Sequence, residues 1–201
     1  MRKYEKEFLK NNHKIICGVD EAGRGPWAGP LVAAACILDN DYNNPLINDS
    51  KKISKQKREM LFKEITKNAI DYSIVFIEVE EVDKIGPKKA SQKAMIQAIN
   101  NLKTKPEIAL IDFEKLVIDG IFCLDIVRGD EKSISIAAAS ILAKVARDEY
   151  MKKIDKEYPQ YNFKKNNGYG TKEHVLALQK NGICLEHRKS YKPIKKIIDA
   201  T

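Results

Sequence analysis

The sequence predicts an α/β protein in which a β-sheet is flanked by helices and followed by a helical extension at the C-terminus. Two observations carry this prediction. Apolar runs rich in β-branched residues open the chain and are then mixed with helical segments. From about residue 134 onward, helical patterns and loops predominate. At 201 residues and 22.8 kDa, the chain has the size of one large domain or of a domain with an appendage.

Four apolar runs are predicted as strands: residues 15–19, 31–38, 72–79 and 108–111. The first two runs are separated by the Gly/Pro-rich sequence EAGRGPWAGP. This spacing predicts neighbouring antiparallel strands joined by a loop with a functional role.

Apolar side chains at helical spacing predict five helices: residues 54–69, 90–102, 134–158, 172–179 and 193–199. Ser54 is the expected N-cap of the first helix, and Pro159 ends the long Ala-rich helix. The loop-like sequence PQYNFKKNNGYGT begins there. We therefore divide the chain into a main domain, residues 1–158, and a basic helical extension, residues 159–201.

Composition excludes several classes of protein. Hydrophobic residues make up 43% and charged residues 32%, which excludes a collagen-like or wholly disordered chain. The longest apolar runs, such as residues 31–38, are far shorter than the roughly 20 residues of a membrane helix. The N-terminal MRKYEKEFLK lacks a signal-peptide core. Four cysteines without a C-x-x-C pair predict buried thiols, so we expect a cytoplasmic protein without membrane contact.

Positive charge is concentrated at one end of the chain. The net charge is +8, and residues 151–201 carry 12 Lys/Arg against 5 Asp/Glu, whereas the preceding 150 residues carry 24 against 23. A basic end on a nearly neutral body suits a protein that binds a polyanion. It also suits a solubilising tail, and charge alone leaves both interpretations open.

Acidic residues follow or precede regular elements at three places. Asp20 and Glu21 come directly after the apolar run IICGV, Asp112 ends EIALID, and Asp130 precedes the Ala-rich helix. Any one of them alone is more often a helix cap or a surface acid. Together they can converge, and hard oxygen ligands without nearby His or Cys favour Mg²⁺ or Mn²⁺ over zinc.

Two segments have the composition of phosphate or sugar contacts. Gly23, Arg24 and Gly25 combine glycines, which allow close backbone approach, with a cationic side chain. A simple turn is the alternative. Neither a P-loop nor a Rossmann glycine pattern is present, which disfavours nucleotide-cofactor chemistry. Lys51, in NDSKK, is a candidate phosphate contact, although a polar turn before the helix explains it equally well.

A tyrosine flanked by glycines lies in the basic extension. Tyr169, in GYGT, is placed to stack on a base or to bond with a sugar, or else to pack on the body. His174 and His187 are too far apart in sequence for a local metal motif. His187 and Arg188, in EHRKSY, are candidate phosphate contacts, although packing or capping suits them equally well.

Taken in order, these segments resemble the ribonuclease HII family. The resemblance rests on GVDEAGRGPWAGPLVAAA, NDSKK, ALID, RGDEKSISIAAASILAKVARD, NNGYGT and HRKSY, and spans about residues 14–191. It implies an RNase H-like mixed five-stranded sheet. The family's acidic positions fall on Asp20, Glu21, Asp112 and Asp130, its glycine–arginine–glycine loop on Gly23, Arg24 and Gly25, and its sugar-contacting tyrosine on Tyr169.

The resemblance also implies an activity. The expected reaction is cleavage of RNA in RNA–DNA hybrids and incision 5′ of single ribonucleotides in duplex DNA, leaving 3′-hydroxyl and 5′-phosphate ends. Two Mg²⁺ or Mn²⁺ ions are implied, with Asp20 and Asp112 as central ligands. The expected partners are these duplexes, bound by a monomer; the sequence leaves open whether the protein also contacts a sliding clamp. The chain departs from its relatives at Phe113-Glu114, where a glycine is common, and at Gly86-Pro87.

Two other classes compete with this interpretation. A non-enzymatic nucleic-acid-binding protein accounts for the basic end but not for four acids at element ends. A metal-dependent phosphotransferase of similar fold accounts for the acids, but the sequence has no nucleotide cradle.

Overall fold

A computed structural model describes residues 1–47 and 53–199. Its strands are β1 (Ile16–Ala22), β2 (Leu31–Ile37), β3 (Asp71–Ile77), β4 (Ile108–Asp112) and β5 (Phe122–Ile126). They form one five-stranded sheet in the order β3-β2-β1-β4-β5. β1, β2 and β3 pair antiparallel, whereas β1, β4 and β5 pair parallel. The predicted mixed α/β sheet and the antiparallel pair at its centre are both confirmed.

The helices are α1 (Lys3–Lys10), α2 (Lys55–Asn68), α3 (Val79–Ile85), α4 (Pro87–Asn100), α5 (Ile134–Glu157), α6 (Phe163–Asn166), α7 (Lys172–Asn181) and α8 (Lys192–Ile198). All five predicted helices are present within a few residues of the expected bounds. The Ser54 side chain accepts a hydrogen bond from the Lys57 N–H, which confirms the N-cap. None of the helices in the described ranges is both long and apolar enough to span a bilayer.

Three local expectations differ from the structure. The run predicted as a strand to residue 79 ends at Ile77, because α3 begins at Val79. β5 was not predicted, because its sequence is not a continuous apolar run. It lies at the edge of the sheet, where Phe122 and Asp125 are exposed. The departure at Gly86-Pro87 is a helix junction: Gly86, with φ of 81°, ends α3, and Pro87 begins α4.

The sheet is covered on both faces. α4 packs on one face, against Leu31, Ala33, Ala35 and Ile37 of β2. α5 and α2 pack on the other face, against the alternate residues of the same strand. β2 is therefore buried throughout, which explains its uninterrupted apolar sequence.

The C-terminal extension packs on the distal half of α5. Met151 and Ile154 of α5 join Tyr161, Phe163 and Leu178 in one hydrophobic cluster. The cluster crosses the boundary placed at residues 158 and 159, and that division of the chain remains a prediction. The four cysteines are free thiols; Cys17 and Cys36 are buried as predicted, and the other two are half-buried.

Candidate active site

Two aspartates lie side by side at the carboxyl ends of neighbouring parallel strands. Val19 of β1 pairs with Ile111 of β4, so that Asp20 and Asp112, one residue further on, lie at the same level. Adjacent strands are about 4.8 Å apart. The side chain of Asp20 is 6% exposed. The sheet itself therefore brings together two of the acids singled out in the sequence.

Negative charge at this edge is concentrated rather than balanced. Burial, followed by the charges of Glu21 and Asp112, raises the pKa of Asp20 well above its ordinary value, although a hydrogen bond with Ser140 opposes the shift. Burial also raises the pKa of Glu21, against the lowering effect of Arg24. Carboxylates held together in this way are the donor set that suits a hard divalent cation, which would relieve their repulsion.

Asp130 lies in a turn that contacts the same edge of the sheet. It lies in the 3-10 turn Gly129–Glu131, just before α5, and is fully buried. The N–H of Gly129 donates to Asp112 Oδ1 at 2.6 Å, which ties this turn to β4. Asp130 is not among the residues that line the cleft described below.

The carboxylates fit divalent ions that are only partly coordinated by protein. Across the described ranges, no three His, Cys, Asp or Glu side chains gather closely enough to hold an ion by themselves. Mg²⁺ commonly takes one or two carboxylates and completes its shell with waters and substrate phosphates. The arrangement suits ions that share their ligands with a phosphodiester.

A cleft of about 480 Å³ opens over these acids. Its lining residues include acids from the strand ends, the glycine-rich loop, cations from two helices and one tyrosine: Asp20, Glu21, Ala22, Gly23, Arg24, Gly25, Arg58, Asp112, Ser140, Lys144, Arg147 and Tyr169. The cleft thus unites segments more than 140 residues apart in sequence.

Two buried arginines support, from below, the glycine-rich loop (residues 23–25) and the segment that follows it (residues 26–30). Arg147 donates to the carbonyls of Ala28, Pro30 and Asn167 at 2.9–3.0 Å. Arg188 donates to the carbonyls of Arg24, Pro26 and Gly29. A Cβ on Gly23, whose φ is 96°, would lie 2.2 Å from Arg147 Nε, so this position requires glycine.

Arg24 points its guanidinium at carboxylates. It contacts Glu114 at 2.6 Å, Ser91 at 2.9 Å and Glu21 at 3.3 Å. The expectation that Arg24 contacts phosphate remains untested. In this structure it pairs with Glu21, one of the four acids Asp20, Glu21, Asp112 and Asp130 that we call the acidic cluster.

The departure at Phe113-Glu114 makes this contact possible. Phe113 adopts φ of 61° in a tight turn in which the N–H of Glu114 donates to the carbonyl of Asp112. The left-handed region favours glycine, the residue that the family resemblance leads one to expect here. The turn directs Glu114 back to Arg24.

Tyr169 stands at the rim, next to the glycine-rich loop. Its side chain is half-exposed, and its Cε1 is 3.8 Å from the position of a Cβ built on Gly25. A Cβ on Gly170 would lie 2.1 Å from the ring of Trp27, so the GYG turn is seated directly on the chain that follows the loop. The two segments singled out separately in the sequence form one surface.

Several residues of the site were missed in the sequence. Arg58, Lys144 and Arg147 line the cleft. Arg147 also supports the loop from below, as does Arg188, which the sequence had offered as a phosphate contact, and Glu114 holds Arg24. The weak signal for the two supporting arginines was their place in segments that the family resemblance quotes, ARD and HRKSY. Lys51 lies outside the described residues.

Nearly the whole chain is similar to known proteins. The family model described as Ribonuclease HII matches residues 17–194. Ribonuclease HII of Mycoplasma mycoides subsp. mycoides SC is 50% identical over 203 aligned residues, which cover 100% of this chain and 98% of that protein. The crystal structure of ribonuclease H2 from Pyrococcus horikoshii OT3 has a TM-score of 0.81 at 24% identity, covering 92% of this chain and 98% of that one. Bst-RNase HIII in complex with Mn²⁺ has a TM-score of 0.66 at 15% identity, covering 92% of this chain and 70% of that one.

Proposed function

Because the chain belongs to the ribonuclease HII family and is therefore a metal-dependent hydrolase acting on the RNA of RNA–DNA hybrids, we propose that it also incises duplex DNA on the 5′ side of single ribonucleotides. The proposed products carry 3′-hydroxyl and 5′-phosphate ends. Such a reaction serves ribonucleotide removal and the processing of RNA primers. We place it in a cytoplasmic monomer, a location that suits four free cysteines.

The acidic cluster is the proposed catalytic centre. Asp20 and Asp112 would be the central ligands of two divalent ions, with Glu21 and Asp130 completing the site. Ions bound there supply an activated water and neutralise charge on the leaving oxygen, and Mn²⁺ is the ion named with the structurally similar Bst-RNase HIII. The acids would hold these ions at the strand ends and would thereby determine where the scissile phosphate lies.

The glycine-rich loop and Tyr169 are proposed to read the ribose. Arg188 holds the carbonyl of Arg24 on the inner side of the loop, and a trans peptide then turns the N–H of Gly25 to the opposite side. This N–H and the Tyr169 hydroxyl are candidates to bind the 2′-hydroxyl, the group that distinguishes RNA from DNA. Their proximity supports recognition of one ribose by both.

The remaining cleft cations are proposed to grip the phosphate backbone. Arg58 and Lys144 line the cleft, although Lys144 also pairs with Asp148 at 2.6 Å. Exposed lysines of the extension, such as Lys172 and Lys189, add positive charge outside the cleft. Phosphate contacts of this kind give affinity without sequence preference.

The observation that carries the proposal is the placement of Asp20 and Asp112 at adjacent strand ends, facing the loop and tyrosine across one cleft. The test is cleavage of labelled duplexes in Mg²⁺ or Mn²⁺. One substrate is an RNA–DNA hybrid, one carries a single ribonucleotide, and an all-DNA duplex is the control. We expect cuts in the first two only, with the single-ribonucleotide cut on its 5′ side. The proposal would be contradicted if the protein cleaved the hybrid but not the duplex that carries a single ribonucleotide.

A further inference from the structure

Two histidines that are distant in sequence meet in the interior of the extension. His174, in the first turn of α7, and His187, in the loop after it, are both fully buried. Their Nε2 atoms are 3.0 Å apart. His174 Nδ1 lies 2.9 Å from the carbonyl of Tyr169, and His187 Nδ1 accepts from the N–H of Cys184 at 2.9 Å. The four groups form a continuous chain of hydrogen bonds.

Only one arrangement of protons satisfies this chain with neutral rings. The N–H of Cys184 can only donate, so His187 Nδ1 is bare and its proton is on Nε2. That proton is donated to His174 Nε2. His174 then carries its own proton on Nδ1 and donates it to the Tyr169 carbonyl, which can only accept. The tautomers are thus assigned from obligatory partners at both ends.

The surroundings keep both rings neutral. Tyr161 and Phe163 pack against the two imidazoles with ring centroids 4.8–6.2 Å apart. Burial and the neighbouring His174 lower the pKa of His187 to about 4, and burial lowers the pKa of His174. The Cys184 thiol lies 3.2 Å from His187 Nδ1, and burial raises its pKa to about 11. The thiol is therefore uncharged at neutral pH and gives His187 no anionic partner that would favour its protonation.

The chain of bonds connects the Tyr169 turn with the segment after the glycine-rich loop, the two surfaces proposed to face the ribose. At one end it holds the carbonyl of Tyr169. At the other end, residue 187 forms an antiparallel bridge with Ala28, and the N–H of Arg188 donates to the carbonyl of Trp27 at 2.8 Å. The backbone around His187 is therefore anchored to the segment that follows the glycine-rich loop.

We propose that His174 and His187 are positioning residues that fix Tyr169 relative to the glycine-rich loop. They touch neither the cleft nor the acidic cluster, and they act through the Tyr169 backbone. The inference rests on the proposed role of Tyr169 at the ribose. It gives a function to His187, for which the sequence had offered packing, capping or a phosphate contact, and to His174, for which it had offered none.

The test is a double-mutant cycle between His174 and Tyr169 on the single-ribonucleotide duplex. His174→Phe keeps a ring but removes both hydrogen bonds, and we expect kcat to fall about 10- to 100-fold with KM changed less than about threefold. His174→Asn places an amide N–H near the position of Nδ1 and should recover most of the rate. In the Tyr169→Ala background, adding His174→Phe should lower kcat by less than about a further twofold.

Phe163→Leu is the matched control, because Phe163 packs on both imidazoles without hydrogen bonding to them. It should lower the melting temperature while leaving kcat within about threefold of the wild type. An equal loss from His174→Phe in both backgrounds would overturn the positioning role. If the wild-type enzyme itself does not cut this duplex, the proposed function fails instead.

An NMR titration tests the hydrogen-bond chain without any substrate. The imidazole Cε1–H signals are assigned through the variants; that of His187 should not shift between pH 7.5 and pH 5.5, and His174 should titrate below the range of an unperturbed histidine. Midpoints near 6.5, the value of an unperturbed histidine, would show that the chain does not form and would overturn the proposal.

Discussion

Replacing Asp112 with asparagine should separate catalysis from folding. The asparagine side chain keeps an oxygen that can accept from the Gly129 N–H, as Asp112 Oδ1 does at 2.6 Å, so the turn before α5 should remain in place. The substitution removes one charge from the acidic cluster and with it a proposed ligand of the divalent ions. We expect cleavage of both substrates to fall at least about 1,000-fold, since metal ions supply both the nucleophile and charge neutralisation.

The same change should stabilise the metal-free protein. The charge of Asp112 contributes to the raised pKa of Asp20, so the two carboxylates repel each other in the folded state. Unit charges about 5 Å apart at an effective dielectric constant of 20 interact by about 3 kcal/mol, and partial protonation together with water in the cleft reduce this. We therefore expect the free energy of unfolding to rise by roughly 1–2 kcal/mol at pH 7.

Thermal and urea unfolding with and without Mg²⁺ or Mn²⁺, alongside the cleavage assay, measure both effects. Asp125→Asn is the matched control, because Asp125 is an exposed carboxylate on the neighbouring strand β5. It should keep the activity, the stability and the metal-induced rise in melting temperature of the wild type. The reasoning is refuted if the Asp112 variant retains near-normal turnover in Mg²⁺, or if it is less stable without metal and gains the full stabilisation with it.

Three further outcomes are expected. Tyr169→Ala should lower the cleavage rate at a single ribonucleotide about 100-fold but change duplex affinity less than about threefold, because phosphate contacts supply affinity; equal losses would make Tyr169 a binding contact only. The pKa of His187 is about 6.5 in the unfolded chain, whereas burial lowers it to about 4 in the folded protein. Between these values the unfolded state binds the proton more readily, so the free energy of unfolding should fall as the pH drops from about 6.5 to 4. From pH 7 to pH 5 the loss should be about 2 kcal/mol, and urea titrations should find this component missing in His187→Gln. Phe113→Gly should raise unfolding free energy by about 0.5–1 kcal/mol by relieving a positive φ, whereas a loss above about 1 kcal/mol would show that the turn is unstrained.

The sequence predicted the parts of the fold that are determined by burial on both sides. β2 is buried along its whole length, so its apolar run was visible without any knowledge of partners. β5 lies at the edge and alternates exposed with half-buried side chains, and its pattern resembles a surface loop. The same logic applies to the acids, because a carboxylate directly after a buried strand is conspicuous. Asp20 and Asp112 were therefore singled out correctly as close neighbours, although their role as metal ligands remains a prediction.

Residues that act through tertiary contacts were not predictable in this way. Arg147 and Arg188 belong to a Lys-rich chain in which a basic residue is usually exposed, yet both are almost fully buried. The charge count treated Arg188 as part of a polyanion-binding end, whereas it holds carbonyls beneath the loop. His174 and His187 are 13 residues apart, and only the return of the chain after α7 brings their rings together.

Beneath the glycine-rich loop, two buried arginines form a positive layer close to the carboxylates at the strand ends, and this arrangement bears on how substrate binds. In the described part of the chain, Arg147 and Arg188 form no ion pair; their N–H groups are bonded to backbone carbonyls and to the Tyr191 hydroxyl. Burial lowers the pKa of Arg147 to about 10, so it remains charged at neutral pH. A phosphate entering the cleft is attracted by this positive layer but repelled by the carboxylates at the strand ends. Divalent ions at the proposed site would remove that repulsion, so we expect metal binding and nucleic-acid binding to favour each other by the same free energy.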